Sequence, residues 1–208
     1  MNTRLQKRNK MRENIAFFDF DGTMTHKDSL FLFVRFLVGK RGFYWGIFIH
    51  LYILLGYLMG ILKNSYAKER LSGYFFKGYE SKEFLDKCEK FLPILKTTLK
   101  ESALKKIYWH KKQGHKVVLV SASFEEYLRP LCEELKIDCI GTILEITNGR
   151  LSGKFASLNC YGKEKVNRIQ SKYVLKDYTQ IYAYGDSEGD KEMLELAPLE
   201  NRFYKFFK

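Results

Sequence analysis

At 208 residues, 46% hydrophobic and 29% charged, the chain can bury a core and is not composed like a disordered segment. Its formal charge of +12 favours anionic partners, whether phosphate esters, acidic lipid surfaces or nucleic acid. The four cysteines (Cys88, Cys132, Cys139, Cys160) are scattered, with no CxxC and no histidine at zinc spacing. That argues against a disulfide framework and for thiols in a reducing, cytoplasmic compartment.

Residues 1–13 read as a basic tail, with Arg4, Lys7, Arg8, Lys10 and Arg12 and no acid among the first twelve positions. A solvated tail is expected ahead of a dedicated anion-binding arm. No secretory signal is expected, because the next apolar stretch contains two aspartates where a signal would end in small residues. That stretch, Ile15 to Phe20, reads as a buried strand, and Asp21-Gly22 ends it in a turn. Asp19 and Asp21 are two residues apart, so an extended strand sends both carboxylates to one face. A bound cation would relieve their repulsion. Taken alone, the pair also looks like a turn with a helix cap.

The stretch 28–105 lacks strand punctuation and is expected to be a helical insertion, with an apolar first half and an amphipathic second half from residue 64. Val117 to Val120 reads as a second strand, ended by Ser121-Ala122-Ser123 and followed by a helix over 125–136. Ile140 to Phe155 alternates around Asn148-Gly149, the signature of an antiparallel hairpin, placed here at the sheet edge. A helix over 162–172 leads to a third strand, Ile181 to Tyr184, ended by Gly185-Asp186-Ser187, with a last helix over 189–196. The alternation predicts an α/β fold: a Rossmann-like parallel sheet flanked by helices, with a helical cap inserted after the first strand and an edge β-hairpin. The catalytic core is then 14–27 with 106–208, and the cap is 28–105. Ligands of such sheets sit beyond the carboxyl ends of the strands, where all three runs end in residues suited to phosphate or metal.

Gly185-Asp186-Ser187-Glu188-Gly189-Asp190 adds a second acidic loop to Asp19 and Asp21. An all-oxygen ligand set of this kind suits Mg2+. His26, His50, His110 and His115 show no ligand spacing. In this order the DxDGT motif, the strand ending in serine, the lysines at 163 and 165 and the GDSxxD motif resemble the haloacid dehalogenase superfamily. Within it they are similar to the phosphoserine-phosphatase-like branch, subfamily IB. The resemblance covers roughly 15–25 and 104–197 and is loose in the cap. It implies a phosphatase, a phosphoric monoester hydrolase, with Asp19 as nucleophile and a phospho-aspartyl intermediate. Asp21 is then general acid and base, and Ser121 and Lys165 contact the phosphoryl group. Lys163 is the alternative to Lys165, which is preferred because it directly precedes the apolar face of Val166 and Ile169. The metal would be held by Asp19, the Asp21 backbone carbonyl and Asp186, supported by Asp190. Gly22, Thr23, Asp28, Ala122 and Ser123 are expected along the substrate.

Phe43 to Leu62 is twenty residues without a formal charge except at His50, long enough by itself to span a bilayer. A single crossing would strand Asp19 on the opposite side from Ser121, Lys165 and Asp186. The run is therefore expected to be a shallow hairpin bent near Gly56, an interfacial helix or a buried cap helix, flanked by Lys40, Arg41 and Lys63. Membrane-surface contact through 43–62 would make the protein peripheral or monotopic on the cytoplasmic face. Phosphoserine phosphatases of this branch usually carry Glu where Asp28 stands. That departure, with the apolar cap, points to a lipid phosphate such as phosphatidylglycerophosphate. The alternatives are a soluble phosphoserine-like metabolite, or a non-enzymatic membrane-surface protein on the same fold. No nucleic-acid signature is present, since the aromatic residues cluster without interleaved basic ones. The oligomeric state is not readable from the sequence.

Overall fold

Four consecutive buried residues, Ile15–Phe18 (β1), form the central strand of a five-stranded sheet. The computed structural model describes residues 13–208, so the basic stretch at 1–12 lies outside the described residues. Lys116–Phe124 (β2), Asp138–Thr142 (β3), Ile181–Gly185 (β6) and Arg202–Tyr204 (β7) complete the sheet in the order β3-β2-β1-β6-β7, every pairing parallel. Such strands are buried on both faces and therefore read as continuous apolar runs. Alternate residues of β1 feed two separate cores. Ala16 and Phe18 pack towards the cap and the helices on its side, while Ile15 and Phe17 pack with Val118, Val120, Ile169 and Met193.

The helices follow the predicted alternation. Glu125–Leu135 (α6) follows β2, Lys163–Lys172 (α7) precedes β6, and Lys191–Leu194 (α8) lies between β6 and β7. Strands β3 and β7 were not foreseen. Asp138-Cys-Ile-Gly-Thr offers little strand-forming pattern of its own, and its Ile140 had been read as the start of the hairpin.

The hairpin itself is Leu144–Thr147 (β4) and Arg150–Phe155 (β5), joined by Asn148 and Gly149 with φ of 51° and 74°. Both turn residues take the positive φ that a two-residue hairpin turn requires. It is a separate two-stranded sheet, and the edge position expected for it belongs to β3. The hairpin instead rests on the cap, where Gly73 packs so closely that a Cβ there would sit 2.5 Å from the Gly153 carbonyl.

The cap consists of Ser29–Ile49 (α1), Leu51–Leu58 (α2), Asn64–Phe76 (α3) and Ser81–Lys96 (α4). Helix α5, Glu101–Lys112, straddles the expected boundary at 105/106 and leads directly into β2. The apolar run does not form one rod. Gly39 breaks α1 with φ 73° and ψ 171°, His50 separates α1 from α2, and the chain turns after Leu58 through Gly60, beyond the bend expected at Gly56. Among the described residues no helix is long and apolar enough to cross a membrane. Nor is the run a buried cap helix, since within 43–62 only Gly46 and Ile53 are buried.

Phe33 of α1 ties the cap to the core. It is fully buried, with ring centroids 5.1 Å from Phe91 in α4 and 4.8 Å from Tyr127 in α6. Truncating such a residue removes transfer free energy and leaves a cavity. Phe33→Ala is expected to cost about 3–5 kcal/mol in urea denaturation.

Candidate active site

Because β2, β1 and β6 run parallel and in register, their carboxyl ends finish side by side. Phe18 pairs with Leu119 on one side and Tyr184 on the other, so Asp19 emerges between the Ser121 and Asp186 ends. Its amide donates to the Tyr184 carbonyl at 2.9 Å, extending the ladder by one residue. The chain then turns through Gly22, whose φ of 84° suits glycine. This glycine also leaves space for its neighbour, since a Cβ there would lie 2.3 Å from Asp186 Oδ2. The next residue, Thr23, donates from Oγ1 to Asp186 Oδ1 at 2.8 Å.

Lys165 enters from the first turn of α7 and is almost wholly buried. Its Nζ donates to Asp19 Oδ1 and Asp190 Oδ1, both at 2.6 Å, and to the Val120 carbonyl at 3.0 Å. Burial works against its charge, but the two carboxylates prevail and hold the ammonium above its ordinary range. Lys163, the alternative, is exposed on the outer side of the same turn.

Asp190 spends both oxygens inside the protein. Oδ1 accepts from Lys165, while Oδ2 accepts from the Asp186 and Ser187 amides and the Ser187 hydroxyl. Burial would raise its carboxyl, yet Lys165 and these bonds keep it below the usual carboxylate value. Asp19 is pushed up to about 7, by burial first, with Lys165 only partly compensating.

Asp21 has different partners. Its Oδ1 accepts from the Ser29 amide at 2.7 Å, and its Oδ2 accepts from the Ser29 hydroxyl at 3.0 Å and the Ser123 hydroxyl at 2.5 Å. Burial, followed by the charge of Asp28, raises it to about 6 against the pull of those bonds. Asp28 caps α1 by accepting from the Phe31 amide at 3.1 Å and borders the same pocket. Ser121, Ala122 and Ser123 line that pocket, with the Ser123 amide donating to Ser121 Oγ at 3.0 Å. Asp19, Asp21, Asp28, Ser121, Ala122, Ser123, Lys165 and Asp190 are therefore gathered around one cleft at the carboxyl edge of the sheet. Gly22, Thr23 and Asp186 lie outside its lining, Thr23 buried against Asp186 and not along the substrate path expected for it.

Asp19, Asp186 and Asp190 each bring a carboxylate oxygen within 4.8 Å of the others. Three carboxylates against one lysine leave an excess of negative charge, and an all-oxygen set suits a hard cation such as magnesium. With Asp190 saturated, Asp19 and Asp186 are the side chains that could hold it. The Asp21 carboxylate is outside this cluster.

Sequence reasoning missed Lys68. On α3 it borders the pocket from the cap side, donating to the Ala122 carbonyl and, at 3.1 Å, to Asn159 Oδ1. Desolvation lowers it to about 8. The only available signal was its i,i+4 spacing from Asn64, which borders the same pocket.

Two substitutions test the architecture. Gly22→Ala drives a methyl group into the Asp186 carboxylate, so calorimetry should show magnesium binding at least about tenfold weaker with the circular dichroism spectrum retained. Lys165→Met leaves two buried carboxylates without their cation and should cost about 3 kcal/mol of stability in metal-free urea titrations at neutral pH.

Comparison with known proteins agrees with this geometry. The family model described as haloacid dehalogenase-like hydrolase matches residues 16–195. Protein CicA of Caulobacter vibrioides is 32% identical over 197 residues, covering 92% of this chain and 85% of its own. A phosphoserine phosphatase of Archaeoglobus fulgidus is 35% identical over 105 residues, which is 49% of this chain and 30% of that protein. A solved substrate-bound phosphoserine phosphatase superposes with a TM-score of 0.63 at 17% identity, over 89% of this chain and 83% of that one. The chain belongs to the haloacid dehalogenase-like hydrolases, and its fold is that of the phosphoserine phosphatases among them.

Proposed function

We propose that the chain is a magnesium-dependent phosphoric monoester hydrolase working through a phospho-aspartyl intermediate on Asp19. The observation that carries this reading is the separation of two aspartates, Asp19 buried and Asp21 half-buried, into two environments. Asp19 is gripped by Lys165 among the clustered acids, and Asp21 is held apart by Ser29 and Ser123. One carboxylate is thereby fixed for attack and the other for moving protons.

Lys165 fixes the rotation of Asp19 through Oδ1, which leaves Oδ2 free to attack phosphorus. As the ester P–O bond breaks, Asp21 in its acid form passes its proton to the departing oxygen. The Asp21 carboxylate then removes a proton from water, and the hydroxide attacks phosphorus. Asp19 is released with inorganic phosphate. A value near 6 allows Asp21 both forms around neutral pH. Ser121, which borders the pocket, supplies a hydroxyl donor for the phosphoryl oxygens. Magnesium at Asp19 and Asp186 would neutralise the repulsion between carboxylate and phosphate.

Beyond the phosphate, the pocket presents Asp28 and Lys68 to the leaving group. An alcohol carrying both an amine and an acid, as in phosphoserine, pairs with that couple, and the relatives favour this reading. The apolar lining from Leu30, Phe31, Leu54 and Tyr57 favours a second one, a lipid phosphate. Hydrolysis of phosphoserine and of short-chain lipid phosphomonoesters, compared with and without detergent, separates the two.

Asp19→Asn should lower kcat at least ~10⁴-fold on para-nitrophenyl phosphate with magnesium; retained turnover would refute the mechanism. The ammonium of Lys68 is lost as pH rises through about 8. KM for an anionic substrate should therefore climb above that pH, and Lys68→Arg should flatten the alkaline limb.

A further inference from the structure

We propose that the outer face of α1 and α2 docks on an anionic lipid bilayer and sets the pocket mouth against it. The proposal concerns where the protein sits, and its test is independent of the reaction assigned above.

Helix α2 is apolar around its whole circumference. Ile53 is buried and Leu54 and Tyr57 border the pocket, while Leu51, Tyr52, Leu55 and Leu58 face outwards, Leu58 at 77% exposure. A helix of this kind is normally covered on every side, and here only one side is. The bare surface continues onto α1 through Tyr44, Trp45 and Phe48, and past the end of α2 through Met59 and Ile61. Trp45 is 61% and Phe48 67% exposed. A contiguous apolar patch on this scale marks an interaction surface. Its chemistry, large aliphatic chains with tryptophan and tyrosine among them, is that of an element lying in the headgroup region of a membrane.

Charge selects the occupant. From Ser29 to Lys68 there is no acidic residue, while Arg35, Lys40, Arg41 and Lys63 are exposed around the apolar face. A groove that begins at His50, at the α1–α2 junction, adds Arg70, Lys77 and Lys154. The acid in that groove, Glu69, is engaged by the Phe155 amide at 3.1 Å. A second copy of the chain would bring the same cations against these across a two-fold interface. An anionic bilayer attracts them and takes up the apolar chains at once. Leu54 and Tyr57 belong to the same short helix as the bare face, so docking there places the pocket entrance at the lipid surface.

The full chain should sediment with vesicles of phosphatidylcholine and phosphatidylglycerol far more than with phosphatidylcholine alone, and added salt should weaken the binding. The combined variant Trp45→Ser, Phe48→Ser and Leu58→Ser should bind the anionic vesicles at least about tenfold more weakly. The charge variant Lys40→Glu with Arg41→Glu should lose the preference for anionic vesicles. Circular dichroism and hydrolysis of para-nitrophenyl phosphate without vesicles should be unchanged in both. Wild-type protein that stays in solution with anionic vesicles, or an apolar variant that sediments like wild type, would overturn the proposal. So would a lipid-free dimer in ultracentrifugation that the apolar variant dissociates, since the face would then belong to a second copy.

Discussion

The contact on which the site depends is the buried ammonium of Lys165 between Asp19 and Asp190. Removing three charged groups from water is costly, and the arrangement holds only because the lysine answers two carboxylates and a backbone carbonyl at once. The surrounding sequence serves that contact. β1 is apolar up to Asp19, which brings the carboxylate to the rim of the sheet without a second charge beneath it. Gly185 leaves room for Asp190, since a Cβ there would stand 2.5 Å from the Asp190 Cβ. The pairing is incomplete in charge, and Asp186 increases the deficit. This excess of negative charge makes the cluster a candidate site for a hard cation.

The cap reaches the same chemistry by a second route. Phe33 packs on Tyr127, and the Tyr127 hydroxyl lies 3.0 Å from Ser29 Oγ. Ser29 in turn holds Asp21 through its amide and its hydroxyl. The Asp21 carboxylate is thus positioned by the first residue of a cap helix together with a hydroxyl from the core. Movement of α1 would be felt at Asp21, whereas Asp19 and Lys165 belong wholly to the sheet and α7. Lys68 and Asp28, also on cap elements, border the same pocket.

The apolar segment of the cap faces two ways. One side of α2 lines the pocket and the other is bare, so the residues that border the pocket are continuous with those exposed to the surroundings. The kink at Gly39 and the break at His50 divide the apolar run, and among the described residues no helix is long and apolar enough to cross a membrane.

The three strands that deliver chemistry were legible in the sequence because each is a short apolar run ended by acids or serines, a local pattern that burial in a parallel sheet imposes. The helical insertion was legible from its lack of strand punctuation, and the Asn148-Gly149 turn from two residues suited to positive φ. Strands β3 and β7 were not, since they lie at the edges of the sheet and take their conformation from neighbours more than from their own residues. Choosing between Lys163 and Lys165, two positions apart, depends on which face of α7 meets the cleft, a matter of long-range packing. Lys68 is separated from Asp19 by 49 positions and carries no motif, so only the folded cap brings it to the pocket. The sequence by itself determined which groups are candidates for chemistry, because reactivity resides in residue type and strand-end spacing. Tertiary structure decided which lysines join them and which apolar side chains remain uncovered, because both depend on distances that no local pattern encodes.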